Sequence, residues 1–140
     1  MRFLFTAVAL LCWAVPMWSE EKKVPELVAE INAYRAKAGL PPMTYHPQLQ
    51  AAAEAHAKDM AARGRLSHTG SDGSSFVDRA KRAGYSVRSA GGEIIAGSGN
   101  EKEAVRMWRG SGGHNAQMLS NRKYVGAAVS GDFACAVFFD

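Results

Sequence analysis

Tyr124-Val125-Gly126-Ala127-Ala128-Val129-Ser130-Gly131-Asp132-Phe133-Ala134-Cys135-Ala136-Val137-Phe138-Phe139 is a pair of apolar runs joined by a glycine and an aspartate. Valine and aromatic side chains suit a pleated, packed surface, and a Gly-Asp pair supplies the backbone freedom of a two-residue loop. The stretch is therefore predicted to be a β-hairpin spanning Tyr124 to Ser130 and Phe133 to Phe139. Further back, Glu93 to Ala96 reads as one more short strand, or as a strand leading into a loop.

The chain before the hairpin carries helical periods. Val24, Leu27, Val28, Ile31 and Tyr34 recur at three- and four-residue steps behind Pro25, and Gly39, Pro41 and Pro42 stop the pattern, with Asn32 and Arg35 facing elsewhere. Pro47 opens a second helix that sets Leu49, Ala53, His56 and Met60 on one face, thinned for close packing by Ala51 to Ala53 and ended by Gly64. A third, from about Ser75 to Ala83, turns Phe76, Ala80 and Ala83 inward. Asn100 caps a fourth, with Glu103 at the capping-box position and Ala104, Val105 and Trp108 as its apolar side. Helices packed on antiparallel strands, without alternating βαβ units, define an α+β fold.

The 140 residues suffice for one domain. Met1 and Arg2 give a positive start, Phe3 to Val15 is almost wholly apolar, and Ser19 to Lys23 is abruptly polar. That profile predicts a signal peptide over residues 1–19, cut after Ala14 or Ser19, and a domain over residues 24–140 that is extracellular or periplasmic. The apolar run reaches spanning length only by counting Pro16 and Trp18, so no stable membrane span is expected after cleavage. Cys12 leaves with the signal, and Cys135 then has no partner for an intramolecular disulfide. Removing Arg2 lowers the formal charge from +4 to about +3, and the charges are interspersed, which excludes a nucleic-acid stripe.

Three residues that titrate or ligate stand where the chain turns: His68 in Ser67-His68-Thr69, Glu93 after Gly91-Gly92, and His114 after Gly112-Gly113. His68 reads equally as a solvated loop histidine, and His114 as the start of a short helix that it merely caps. Glu93 is harder to dismiss, because a carboxylate beside Ile94, Ile95 and Ala96 needs a cation or hydrogen-bond donors to be buried. His56 lies on the apolar face of its helix and reads as a satisfied core histidine, and His46 before Pro47 as part of a turn. There is no His-Glu-x-x-His helix, paired cysteine, Gly-x-Ser-x-Gly elbow around Ser111 or phosphate-cradling loop.

The order of the pieces is more specific than any of them. Ile31-Asn32-Ala33-Tyr34-Arg35 with Gly39-Leu40-Pro41-Pro42, Leu49 through Ala57 with Met60, Ser67-His68, Glu93 with Ala96-Gly97, Trp108 with Ser111 and Gly113-His114, and Tyr124-Val125-Gly126 follow one another. From Leu27 to Phe139 the chain resembles the CAP superfamily of cysteine-rich secretory, antigen 5 and pathogenesis-related-1 proteins, in its compact bacterial SCP-like form without disulfides. The resemblance implies a three-layer α-β-α sandwich with a small antiparallel sheet. It also implies a cavity of histidines and acidic residues, which map to His68, Glu93 and His114. The family's usual Glu-Asn pair is Glu93-Ile94 here, and a second cavity glutamate of many members falls on Ser111, leaving a triad in place of a tetrad.

Two imidazoles and a carboxylate suit zinc or another divalent cation. The expected function is an exported, non-enzymatic domain binding a divalent metal or a small polar ligand. The competing expectations are a metal-assisted hydrolase or peptidase and a lipid or sterol carrier, the last drawing on Trp108, Phe133 and Phe138, which are more simply core.

Overall fold

The computed structural model describes residues 23–140, so the expected signal peptide lies outside the described residues. In chain order the elements are α1 (Glu26–Lys37), β1 (Thr44–Tyr45), α2 (Pro47–Arg63), α3 (Phe76–Arg82), β2 (Gly92–Ala96), α4 (Glu101–Arg109), α5 (Gly112–Met118), β3 (Tyr124–Ser130) and β4 (Phe133–Phe139). The hairpin forms as its sequence predicts. β3 and β4 pair from Tyr124↔Phe139 to Ser130↔Phe133 around Gly131, whose φ of +53° is the left-handed conformation that glycine adopts without strain.

The sheet order is β1-β3-β4-β2. β2 extends it antiparallel to β4, with Glu93 opposite Val137. The small antiparallel sheet is as expected, and to it is added β1, which runs parallel to β3 and whose two residues are too few to show a strand period in sequence. Strand alternation then builds the layers. Ala134, Ala136 and Phe138 of β4 join a core with Leu27, Val28 and Ile31 of α1, Ala104 and Trp108 of α4, and Met118 of α5. Cys135, Val137 and Phe139 face a second core with Leu49, Ala53 and Met60 of α2 and Ala80 of α3. The result is an α-β-α sandwich, and it spends Trp108 and Phe138 entirely on the interior. Among the described residues no helix is long and apolar enough to cross a membrane.

Polar side chains hold the irregular backbone. Gln50, on buried α2, donates from Nε2 to the Ala127 carbonyl (2.8 Å) and accepts the Ala127 N–H on Oε1 (2.9 Å). β1 stops at the partner of Val125, so Gln50 satisfies a β3 edge that a longer strand would otherwise cover. Asn32 grips both backbone groups of Met43 in the same way. Arg35, expected to face away from the core, is 3% exposed. Its guanidinium donates to the carbonyls of Pro41 (3.0 Å), Met118 (2.8 Å) and Ser120 (2.7 Å), tying α1 to the loops that follow it and α5.

The cap expected on α4 is present with one difference, and α3 carries one beyond those expected. Ser75 and Asp78 form a reciprocal capping box on α3, whereas on α4 Asn100 accepts the Glu103 N–H while the Glu103 carboxylate turns to Arg106. His46 serves as the cap of α2, its Nδ1 accepting the Gln48 N–H.

α2 crosses the sheet directly over Gly126, where a Cβ would overlap the backbone of Leu49 and Gln50. Gly126→Ala is expected to cost about 3 kcal/mol or more, since backbone on both sides must shift. Gly97→Ala, into open space at an exposed position, should stay within about 0.5 kcal/mol. Urea unfolding of the two variants checks the contrast.

Candidate functional site

Pleating decides where Glu93 goes. It alternates with Ile94 and Ala96 and shares the face of Ile95, so it points into the layer of α2 and α3. There its side chain is 1% exposed. The cation that such a burial demands is Arg79 of α3, whose Nη2 donates to Glu93 Oε2 at 2.6 Å from a side chain only 6% exposed. Arg79 also donates to the carbonyls of Ser74 (2.7 Å) and His68 (3.0 Å), so one guanidinium fastens α3, the loop after α2 and β2.

The other carboxylate oxygen holds His68. Nδ1 of His68 lies 2.8 Å from Glu93 Oε1, and because a carboxylate only accepts, Nδ1 is assigned the proton. In the neutral ring Nε2 then keeps its lone pair, on a side chain that is 59% exposed. An exposed imidazole is thus oriented by a buried carboxylate that is itself fixed by a buried guanidinium.

Two further groups close the site from behind. His56 donates from Nε2 to the Ser67 carbonyl at 2.7 Å and sits 4.0 Å from Glu93 Oε1. It is fully buried, as expected of a core histidine, but only half satisfied: Nδ1 has no protein partner. Burial holds its pKa below the usual imidazole value and Arg79 adds to this, while Glu93 pulls the other way. The Cys135 thiol, fully buried, is directed at Glu93 Oε2 at 3.7 Å, and burial together with that carboxylate keeps it protonated far above the ordinary thiol range.

His114 lies in α5, which packs both on α4 and on β2, the strand that carries Glu93, and sends Met118 into the core shared with α1; among the described residues no hydrogen bond or ion pair joins His114 to His68 or Glu93. Among the described residues, no group of three histidine, cysteine, aspartate or glutamate side chains is arranged to hold a metal ion. Both Glu93 oxygens are already occupied, one by a guanidinium, so the donor set does not fit a three-ligand zinc centre built from His68, Glu93 and His114. Sequence reasoning missed Arg79, although a signal was present. Arg79 is three residues after Phe76 and four before Ala83, on the stripe expected to face inward.

A family model described as the cysteine-rich secretory protein family, CAP, matches residues 28–139. The chain belongs to the CAP family. Over 100 residues it is 35% identical to the uncharacterised protein YkwD of Bacillus subtilis strain 168, covering 71% of this chain and 38% of that protein. Its fold is similar to an extracellular SCP-domain protein from Bacillus anthracis, with TM-score 0.74, 25% identity, and 81% of this chain against 39% of that one. It is also similar to an outer surface protein from Borrelia burgdorferi, with TM-score 0.68, 19% identity, and coverage of 81% and 88%. The chain therefore spans well under half the length of YkwD and of the Bacillus anthracis protein, and it is a CAP domain of bacterial SCP type.

His56 makes the site sensitive to acid. With a folded pKa below the unfolded value of about 6.5, its contribution to stability is complete above that pH and is lost as pH falls toward the folded value. The urea midpoint of the wild-type protein is expected to drop between about pH 7 and about pH 5. His56→Gln should be less stable at neutral pH and show a flatter dependence across that window; an unchanged slope would contradict the assignment.

Proposed function

We propose that this CAP domain is an exported, non-enzymatic binding module whose contact with its ligand is Nε2 of His68. The supporting observation is the chain of bonds Arg79 to Glu93 to His68. It fixes the tautomer and aim of one exposed imidazole and leaves one lone pair free, the arrangement by which proteins prepare a histidine to accept a bond. A small polar ligand that donates a hydrogen bond, or a divalent cation taking the lone pair, matches that atom. Export is supported by the apolar, positively started first residues and by the extracellular and outer-surface descriptions of the similar Bacillus anthracis and Borrelia burgdorferi proteins.

In this reading Glu93 orients His68 and is not itself a ligand, and His114 is dispensable. Zinc chloride is the probe that separates this from the triad suggested by family resemblance. Titration of the domain, followed through the ring resonances of its histidines, is expected to show weak binding at His68 that His68→Ala abolishes and His114→Ala leaves within about twofold. Loss of binding in His114→Ala as well would show the two histidines converging on one ion, and zinc binding that survives His68→Ala would overturn the proposal.

The oriented imidazole also favours one second reading, a hydrolase using His68 as general base. Hydrolysis of p-nitrophenyl acetate that is saturable and lost in His68→Ala would select it over the binding module.

A further inference from the structure

A cavity of about 380 Å³ opens between α2 and α3, away from the exposed imidazole. The alanines that thin α2 form its apolar wall: Ala51, Ala52 and Ala55, facing Ala83 from the end of α3. Its volume falls in the range of small-molecule sites, about 300 to 1,000 Å³. The alanine run exceeds what close packing requires, since Ala53 and Ala57 alone meet the sheet-side core while Ala51 and Ala55 are exposed.

Arg79 lines this cavity, and one of its donors is unused. A guanidinium has five N–H groups. Nη1 donates to the carbonyl and hydroxyl of Ser74, and Nη2 to the His68 carbonyl and to Glu93. Nε–H has no acceptor among the described residues and is not one of the sealed, unpartnered groups. A side chain 6% exposed, with four bonds fixing its plane, holds that donor rigidly.

The charges around the cavity say what kind of acceptor belongs there. Arg79 is neutralised by Glu93 and Arg82 by Asp72 at 2.7 Å, while Asp59 takes Ser71 and Arg63. Among the residues lining the cavity, no cation is left over for an anionic ligand. We infer that the cavity is a second ligand site, for a small uncharged molecule whose compact apolar body lies on the alanine wall and whose amide-type carbonyl accepts the Arg79 Nε–H bond. Because Arg79 also holds the His68 carbonyl, occupancy here bears on the backbone of the first site, yet the two sites are separable by substitution.

Acetanilide is a suitable probe, with aniline as the analogue that keeps the ring and lacks the carbonyl. The Nε–H cross-peak of Arg79 in a nitrogen-proton correlation spectrum reads the bond directly. Acetanilide is expected to move that peak saturably, with aniline about tenfold weaker, the worth of one hydrogen bond to a charged donor. Ala55→Trp, at an exposed position of α2, should fill the cavity and abolish the shift while the His68 ring resonances and the thermal midpoint stay near wild type; Ala51→Trp serves the same purpose should Ala55→Trp fold poorly. A shift that does not saturate, equal binding of acetanilide and aniline, or binding that persists in a folded cavity-filled variant would each overturn the proposal. Zinc binding at His68 is read separately, so failure at one site is distinguishable from failure at the other.

Discussion

A carboxylate taken out of water on β2 sets the terms for the surrounding structure. Removing Glu93 from solvent costs several kcal/mol, and only a well-placed cation with its own hydrogen bonds offsets that cost. Arg79 meets the requirement from α3, a helix of seven residues with little apolar surface of its own. The pair therefore anchors more than itself: through Arg79 it fixes the Ser74 turn and the backbone at His68, and through the second Glu93 oxygen it fixes the His68 ring. His56 backs the same loop through Ser67. An exposed imidazole is thus held by groups that are nearly all inaccessible, which is how a loop residue acquires the precision of a packed one.

Much of this architecture is legible in the amino-acid order because it depends on local rules. The hairpin follows from Gly131-Asp132 between two strand-forming runs, α2 from Pro47 and Gly64, and α3 from its Ser75 and Asp78 box. What escaped depends on long-range partners. β1 is two residues recognisable only beside β3, and Arg35 and Gln50 look like solvent-facing helix positions until the backbone groups they satisfy are folded against them. The site divides along the same line. That Glu93 needs a cation follows from its apolar neighbours alone, but the identity of the cation requires knowing that α3 lies over β2.

Family membership and geometry constrain different things. The match over residues 28–139 and the likeness to solved SCP domains account for the layers and the order of the elements. They do not dictate how each member uses its cavity. In this chain Ile94 and Ser111 fall where the family resemblance implies polar groups, and the single described cysteine is a buried thiol. Stability rests on packing, on the polar clamps of Asn32, Arg35 and Gln50, and on the Glu93–Arg79 pair.

The dependence of the site on that pair is tested most directly by a double-mutant cycle. Arg79→Met and Glu93→Gln each leave an unmatched buried group, and each is expected to lower the unfolding free energy by about 3–5 kcal/mol. The double variant removes both charges and should regain a large part of the loss, giving a coupling energy of at least about 2 kcal/mol in urea unfolding. Single variants within about 1 kcal/mol of wild type, or losses that simply add in the double variant, would contradict the account.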